Sequence, residues 1–457
     1  MPRTTVCRWL PKDPAAVETF VSDLLVHSRI IHGRDPKTCT RVVKVGESLE
    51  MAISRTGITF DLSCLRCHYC FTVGQEQAYT VHGLHPIVQE FQDYIEREGV
   101  VYAAFNEMFE QAPPPQNKDQ EKIEDYVDLM EMINMNLTTA PSFGEGVSAM
   151  VTAVPYYGII SRFCNTPVGY NAFTHPGVNE RFCRVFTAWH KYLTSTASTN
   201  VIHDGAGSWL STAALNAMVQ SAGGTPDQDM FDNFFICNTS DPHYGFKSYD
   251  GLFVRELKAV HHAMVYPDNP AIVNSTCSST VHMLYYNFKK TDRFWIKNTP
   301  YSLNHILAED ELVDTFVNGT LIQAMLGSLD YHHWRSPVNG TVVKTCLISG
   351  ATHPNPPPTC YAACLDDGHK DLDVEPVGLM CFVGVGLGEV STCNIVVNEG
   401  QELKKGDELG QFHFGGSTHC LIFRPGVTAM LIDQDGQPLE GSKVRVGKDI
   451  LIATKLP

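Results

Sequence analysis

The chain has 457 residues, 43% of them apolar, enough to bury a large core and more than one ordinary domain requires. Its 34 basic and 50 acidic residues leave a formal charge of −16, which repels nucleic-acid phosphates and anionic membrane surfaces, so no nucleic-acid partner is expected. No run approaches the roughly 20 apolar residues of a membrane-spanning helix. Residues 1 to 11 lack a secretory signal's apolar stretch, and the fifteen scattered cysteines read as reduced, buried small hydrophobes. A cytoplasmic protein without a transmembrane segment is the expectation.

Residues 1 to 32 read as an amino-terminal helix, and residues 33 to 84 as an insertion of unknown role. Within the insertion, Cys64, Cys67, His68 and Cys70 superficially match covalent haem attachment or half of a zinc site. A second ligand pair at comparable spacing is missing, so no metal is assigned and the cysteines read as buried thiols.

Helical spacing dominates until about residue 260. Ile87, Phe91 and Ile95 form one stripe, and Phe182, Val185, Phe186, Trp189 and Leu193 a stronger one. Beyond it come short runs rich in β-branched residues, at 341 to 348, 381 to 385, 394 to 397 and 419 to 423, punctuated by glycine. Residues 350 to 374 hold Pro354, Pro356, Pro357 and Pro358, which supply no ladder N–H groups, so this stretch reads as a long surface loop. The expected class is α+β, with a helical amino-terminal domain over 85 to 235 and a β-rich domain over 236 to 457.

The most informative stretch runs from Lys405 through Gly410, Phe412 and His413 to Gly415-Gly416-Ser417-Thr418. A serine hydroxyl can attack the preceding carbonyl where glycine leaves the backbone free and the approach open. The resulting ester eliminates, the chain breaks, and the dehydroalanine left behind hydrolyses to a pyruvoyl group. Alone, Gly-Gly-Ser-Thr is more often a plain turn.

The whole block resembles the processing motif of phosphatidylserine decarboxylases, which are cut at a Gly-Ser bond. Three further segments match that family in order: Ser248 to Arg255; Trp295-Ile296-Lys297 with Tyr301-Ser302-Leu303; and Asp330-Tyr331-His332-His333-Trp334-Arg335-Ser336-Pro337-Val338-Asn339-Gly340. Pro86 to Ile95 and Gly169 to Trp189 resemble the amino-terminal domain of the fungal tryptophan decarboxylase branch.

The resemblance implies self-cleavage between Gly416 and Ser417, with Ser417 the precursor of a self-derived pyruvoyl cofactor. It implies decarboxylation of a small amino acid, an aromatic one with tryptophan first, through a Schiff base. His332 is the matched proton donor, and the two cleaved chains stay associated through shared strands. Phosphatidylserine is the alternative substrate.

Two positions depart from the family. Cys277 stands where it has an Asp, and Arg335 where it has a second His. Arginine stays protonated and a thiol does not orient a histidine as a carboxylate does. His333, Asp330 and His419 are the residues that could make good the loss, although His419 equally reads as an ordinary polar strand residue. Arg335 reads as a salt-bridge residue or as a partner of the substrate carboxylate. The same departures leave a third reading, an unprocessed relative that binds without turnover.

Overall fold

A computed structural model describes residues 14–31, 84–114, 122–144, 154–296, 299–348, 360–366, 377–386, 392–413, 417–432, 441–448 and 450–455. The Cys64 to Cys70 cluster, Lys297 and Gly416 lie outside the described residues. Two compact units emerge, one within Pro11–Ser198 and one within Thr199–Pro457.

The first unit is helical: α1 Pro14–Ile31, α2 Pro86–Arg97, α3 Gly99–Gln111, α4 Tyr126–Asn136, α5 Pro155–Cys164, α6 Pro167–Thr174 and α7 Pro176–Leu193. Five of them begin with proline, which is preset for the first turn and has no N–H to leave unpaired there. The side chains of His85, Thr166 and His175 accept hydrogen bonds from the N–H groups that open α2, α6 and α7. The apolar stripes meet in one aromatic core, where Phe91 packs edge-on against Phe182 at 5.0 Å and Tyr156 against Trp189 at 5.1 Å.

The second unit opens with α8 Thr212–Ser221, α9 Phe231–Phe234 and α10 Tyr249–Phe253. Its strands are β1 Ile272–Asn274, β2 Ser279–Tyr286, β3 Phe294–Ile296, β4 Thr299–Tyr301, β5 Thr320–Leu326, β6 His333–Arg335, β7 Gly340–Ile348 and β8 Cys360–Asp366. Then come β9 Met380–Val385, β10 Thr392–Ile395, β11 Glu402–Leu403, β12 Glu408–His413, β13 Ser417–Phe423, β14 Val427–Ile432, β15 Lys443–Val444 and β16 Ile450–Lys455. Short helices α11 Leu303–Ile306 and α12 Val313–Phe316 interrupt them. Helices together with antiparallel sheets make the chain α+β. Among the described residues, no helix is long and apolar enough to cross a membrane.

The main sheet has the order β11-β7-β8-β9-β13-β5-β2-β15, and a smaller one the order β10-β12-β6. β8 corrects the reading of residues 350 to 374 as a loop. Cys360 to Asp366 pair with β7 on one side and β9 on the other, in the interior of the sheet. The proline cluster ends before residue 360, and the Cys-Tyr-Ala-Ala-Cys-Leu-Asp run that follows keeps every N–H needed by two ladders.

Both faces of the central strands are covered, which explains why β5, β9 and β13 are buried throughout. One face puts Ile322, Leu326, Phe382, Leu421 and Phe423 against Trp334, Leu409 and Phe412 of the small sheet. The other puts Leu321, Val383, Cys420 and Ile422 against Leu303, Ile306, Val313 and Phe316 of α11 and α12. At Gly384 the two sheets approach closely, since a Cβ there would sit 3.1 Å from Phe412 and 3.4 Å from Trp334.

Candidate active site

Ser417 is the first residue of β13, opposite Leu326 of β5. Leu326 opposite it, and Leu421 and Phe423 further along β13, belong to the core between the two sheets, so strand alternation turns Ser417 and His419 toward that interlayer space. Ser417 is fully buried, and its hydroxyl has no hydrogen-bond partner among the described residues. An orphaned hydroxyl in such a place costs about 1–3 kcal/mol.

β6 faces the same space. Trp334 packs on Phe382 at 5.2 Å and on Phe412 at 4.7 Å, and His332, two residues earlier, points the same way. His332 is fully buried, accepts the Phe412 N–H through its carbonyl at 3.0 Å, and stacks on Phe253 at 4.0 Å.

The alternate residues point the other way. His333 places Nδ1 at 2.6 Å from Glu408 Oε1 and Nε2 at 2.9 Å from the Val254 carbonyl, so both ring nitrogens are engaged. Arg335 donates to the Gly406 carbonyl at 3.2 Å and the Tyr331 hydroxyl at 2.8 Å, with Glu256 at 3.8 Å. The His333 hydrogen bond holds the Glu408 carboxyl below its usual range. Glu256, His333 and Glu408 are grouped closely enough to hold a metal ion, but Arg335 already supplies a positive charge there.

Asp330 is likewise committed. Its Oδ1 accepts from Ser221 at 2.7 Å and pairs with Lys443 at 2.5 Å, while Oδ2 accepts the Gly327 N–H at 2.7 Å. Cys277 is fully buried in the interlayer core. Burial, then the Asp330 charge, pushes its thiol well above the ordinary range, so it stays protonated.

His419 is buried against Phe382, with Nε2 at 3.1 Å from Ser279 Oγ and Nδ1 without a hydrogen-bond partner among the described residues. Burial lowers its pKa to about 4, leaving a neutral imidazole at physiological pH.

Helix α10, inside the Ser248 to Arg255 motif, organises three histidines. Phe253 stacks on His332, the Val254 carbonyl meets His333, and Asp250 Oδ1 lies 2.8 Å from His413 Nδ1. Ser248 caps the helix by accepting the Gly251 N–H at 3.0 Å. Arg255 anchors its end on the Leu329 carbonyl at 2.6 Å, immediately before Asp330. Sequence reasoning missed Asp250, His413 and Ser279. The first two stood inside quoted motifs, but their pairing spans 163 residues.

Ser417 fits a pyruvoyl group. Conversion would replace a hydroxyl that has no partner among the described residues by a methyl opposite Leu326, at the edge of an apolar core.

Two family models, both described as phosphatidylserine decarboxylase, match residues 85–218 and 249–452. An L-tryptophan decarboxylase of Psilocybe cubensis is 31% identical over 396 residues, 80% of this chain and 86% of its own length. One from Psilocybe cyanescens is 30% identical over 82% of this chain and 88% of its own. Phosphatidylserine decarboxylase proenzyme 3 of Schizosaccharomyces pombe is 31% identical over 47% of this chain and 23% of its own. The protein is a carboxy-lyase, a decarboxylase of the pyruvoyl type. It belongs to the phosphatidylserine decarboxylase family and resembles its tryptophan decarboxylase branch.

Proposed function

We propose that the chain matures by cleavage between Gly416 and Ser417 and then decarboxylates an aromatic L-amino acid, tryptophan first. One observation carries the substrate class. The likeness to L-tryptophan decarboxylases runs through 80% of the chain, helical unit included, whereas that to the fission-yeast phosphatidylserine decarboxylase covers 47%.

Ser417 is the residue that becomes the pyruvoyl group, which supplies an electron sink for the pair released as carbon dioxide leaves. His332 is the acid that returns a proton to the substrate α-carbon. Its burial between the layers keeps bulk water from competing, and the Phe253 ring fixes its plane. Arg335 points away from the interlayer space and acts as a structural ion-pair residue rather than as a clamp on the substrate carboxylate. The two cleaved chains stay together because β13 lies between β9 and β5.

The test is carbon dioxide release by the purified protein from L-tryptophan, L-tyrosine, L-phenylalanine and phosphatidylserine vesicles. Turnover of an aromatic amino acid with the vesicles untouched supports the reading. Turnover of phosphatidylserine alone overturns it.

A further inference from the structure

We infer that His419, oriented by Ser279, is the base that starts self-processing by taking the hydroxyl proton of Ser417. The inference rests on the proposed maturation at the Gly416–Ser417 bond and names the group that drives it.

Ser417 and His419 are alternate residues of one strand, paired with Leu326 and Ala324 of β5. They stand about 7 Å apart along it with side chains on one face. Both carry a buried polar atom without a partner among the described residues, Oγ on Ser417 and Nδ1 on His419. Two such groups on one face, one a hydroxyl donor and the other an imidazole nitrogen, are complementary in hydrogen bonding.

Ala324, directly opposite His419, leaves room for the imidazole to reach across β5 to Ser279 on β2. In the tautomer whose Nε2–H donates to Ser279 Oγ, the lone pair lies on Nδ1, the nitrogen a base requires. Burial keeps the imidazole neutral, so its lone pair carries no proton before the step.

The other groups are unsuited. The Cys277 thiol stays protonated, Arg335 is turned onto Gly406 and Tyr331, both nitrogens of His333 are engaged, and Asp330 is held by Lys443 and Ser221.

The step balances without a co-reactant. As the Ser417 proton moves to Nδ1, Oγ bonds to the Gly416 carbonyl carbon, the Gly416–Ser417 C–N bond breaks, and the proton passes to the departing Ser417 nitrogen. An amide becomes an ester in an isomerisation.

The experiment follows splitting after cell-free synthesis by denaturing gel and intact mass, for the parent, His419→Ala, Ser279→Ala and Ser417→Ala. The expected results are splitting at least a hundredfold slower in His419→Ala, partly restored by added imidazole, and about tenfold slower in Ser279→Ala. Parent-like splitting in a folded His419→Ala, or slow splitting that imidazole does not relieve, overturns the inference. If His419→Ala does not fold, Ser279→Ala decides, and a parent-like rate there overturns the relay. A parent that never splits, like Ser417→Ala, removes the maturation reading and this inference with it.

Discussion

The ring of Phe253 lies over that of His332, centroids 4.0 Å apart and planes 29° from parallel. The contact joins the motif at Ser248 to Arg255 with the one at Asp330 to Pro337 and fixes the imidazole plane. Phe253→Leu keeps most of the buried volume but loses the flat surface. It should lower kcat about tenfold through misorientation while leaving chain splitting intact. Steady-state kinetics on the matured protein checks this, and an unchanged kcat would show that the stacking does not position His332.

His332→Gln removes the proposed proton donor and keeps a polar side chain of similar reach. Splitting should proceed, and kcat should fall by about 10²–10⁴. Parallel gel and turnover measurements separate the two stages. A variant that splits and turns over like the parent would remove His332 from the chemistry.

Asp330 joins Lys443, Ser221 and the Gly327 N–H in a largely buried cluster. Asp330→Ala leaves the Gly327 N–H without its acceptor and takes the carboxylate from Lys443 and Ser221, which keep only the hydrogen bond of 2.8 Å from Lys443 Nζ to Ser221 Oγ, at a cost of about 2 kcal/mol after allowing for the partial exposure of Lys443. Thermal melts should show a fall in Tm of several degrees. An unchanged Tm would mean that the cluster contributes nothing net.

His419 predicts an acid dependence of stability. Its folded pKa, lowered to about 4 by burial, lies below the unfolded value of about 6.5, so the unfolded chain binds the extra proton between them. This contribution is complete above about pH 6.5 and is lost as pH falls toward 4, amounting to roughly 3 kcal/mol. Denaturant unfolding of the parent and His419→Gln across that range measures it, and identical slopes in the two would contradict it.

Gly410 lies where β12 crosses Trp334, and a Cβ there would stand 2.1 Å from the Asn394 carbonyl oxygen and 2.7 Å from the indole. Gly410→Ala should therefore destabilise by about 2 kcal/mol or more, because the nearest atom is backbone and cannot step aside. A melt within a degree of the parent would contradict this.

Much of this architecture is legible in the sequence because it is local. The stripe from Phe182 to Leu193 is α7, and the runs at 341 to 348, 381 to 385, 394 to 397 and 419 to 423 fall within or overlap β7, β9, β10 and β13. β8 was hidden because nearby prolines dominated the reading of a short strand that both neighbours hold in place. Which histidine faces inward depends on the register of the three-residue β6, which local pattern does not encode. The pairs Asp250 with His413 and Ser279 with His419 join residues 163 and 140 positions apart, so only the folded chain brings them together.

Intact mass spectrometry of the purified protein beside a Ser417→Ala control tests the central claim most directly. The account predicts two polypeptides from the parent, the smaller beginning with a pyruvoyl group in place of Ser417, and one full-length chain from the control. A single unmodified chain from both would contradict it.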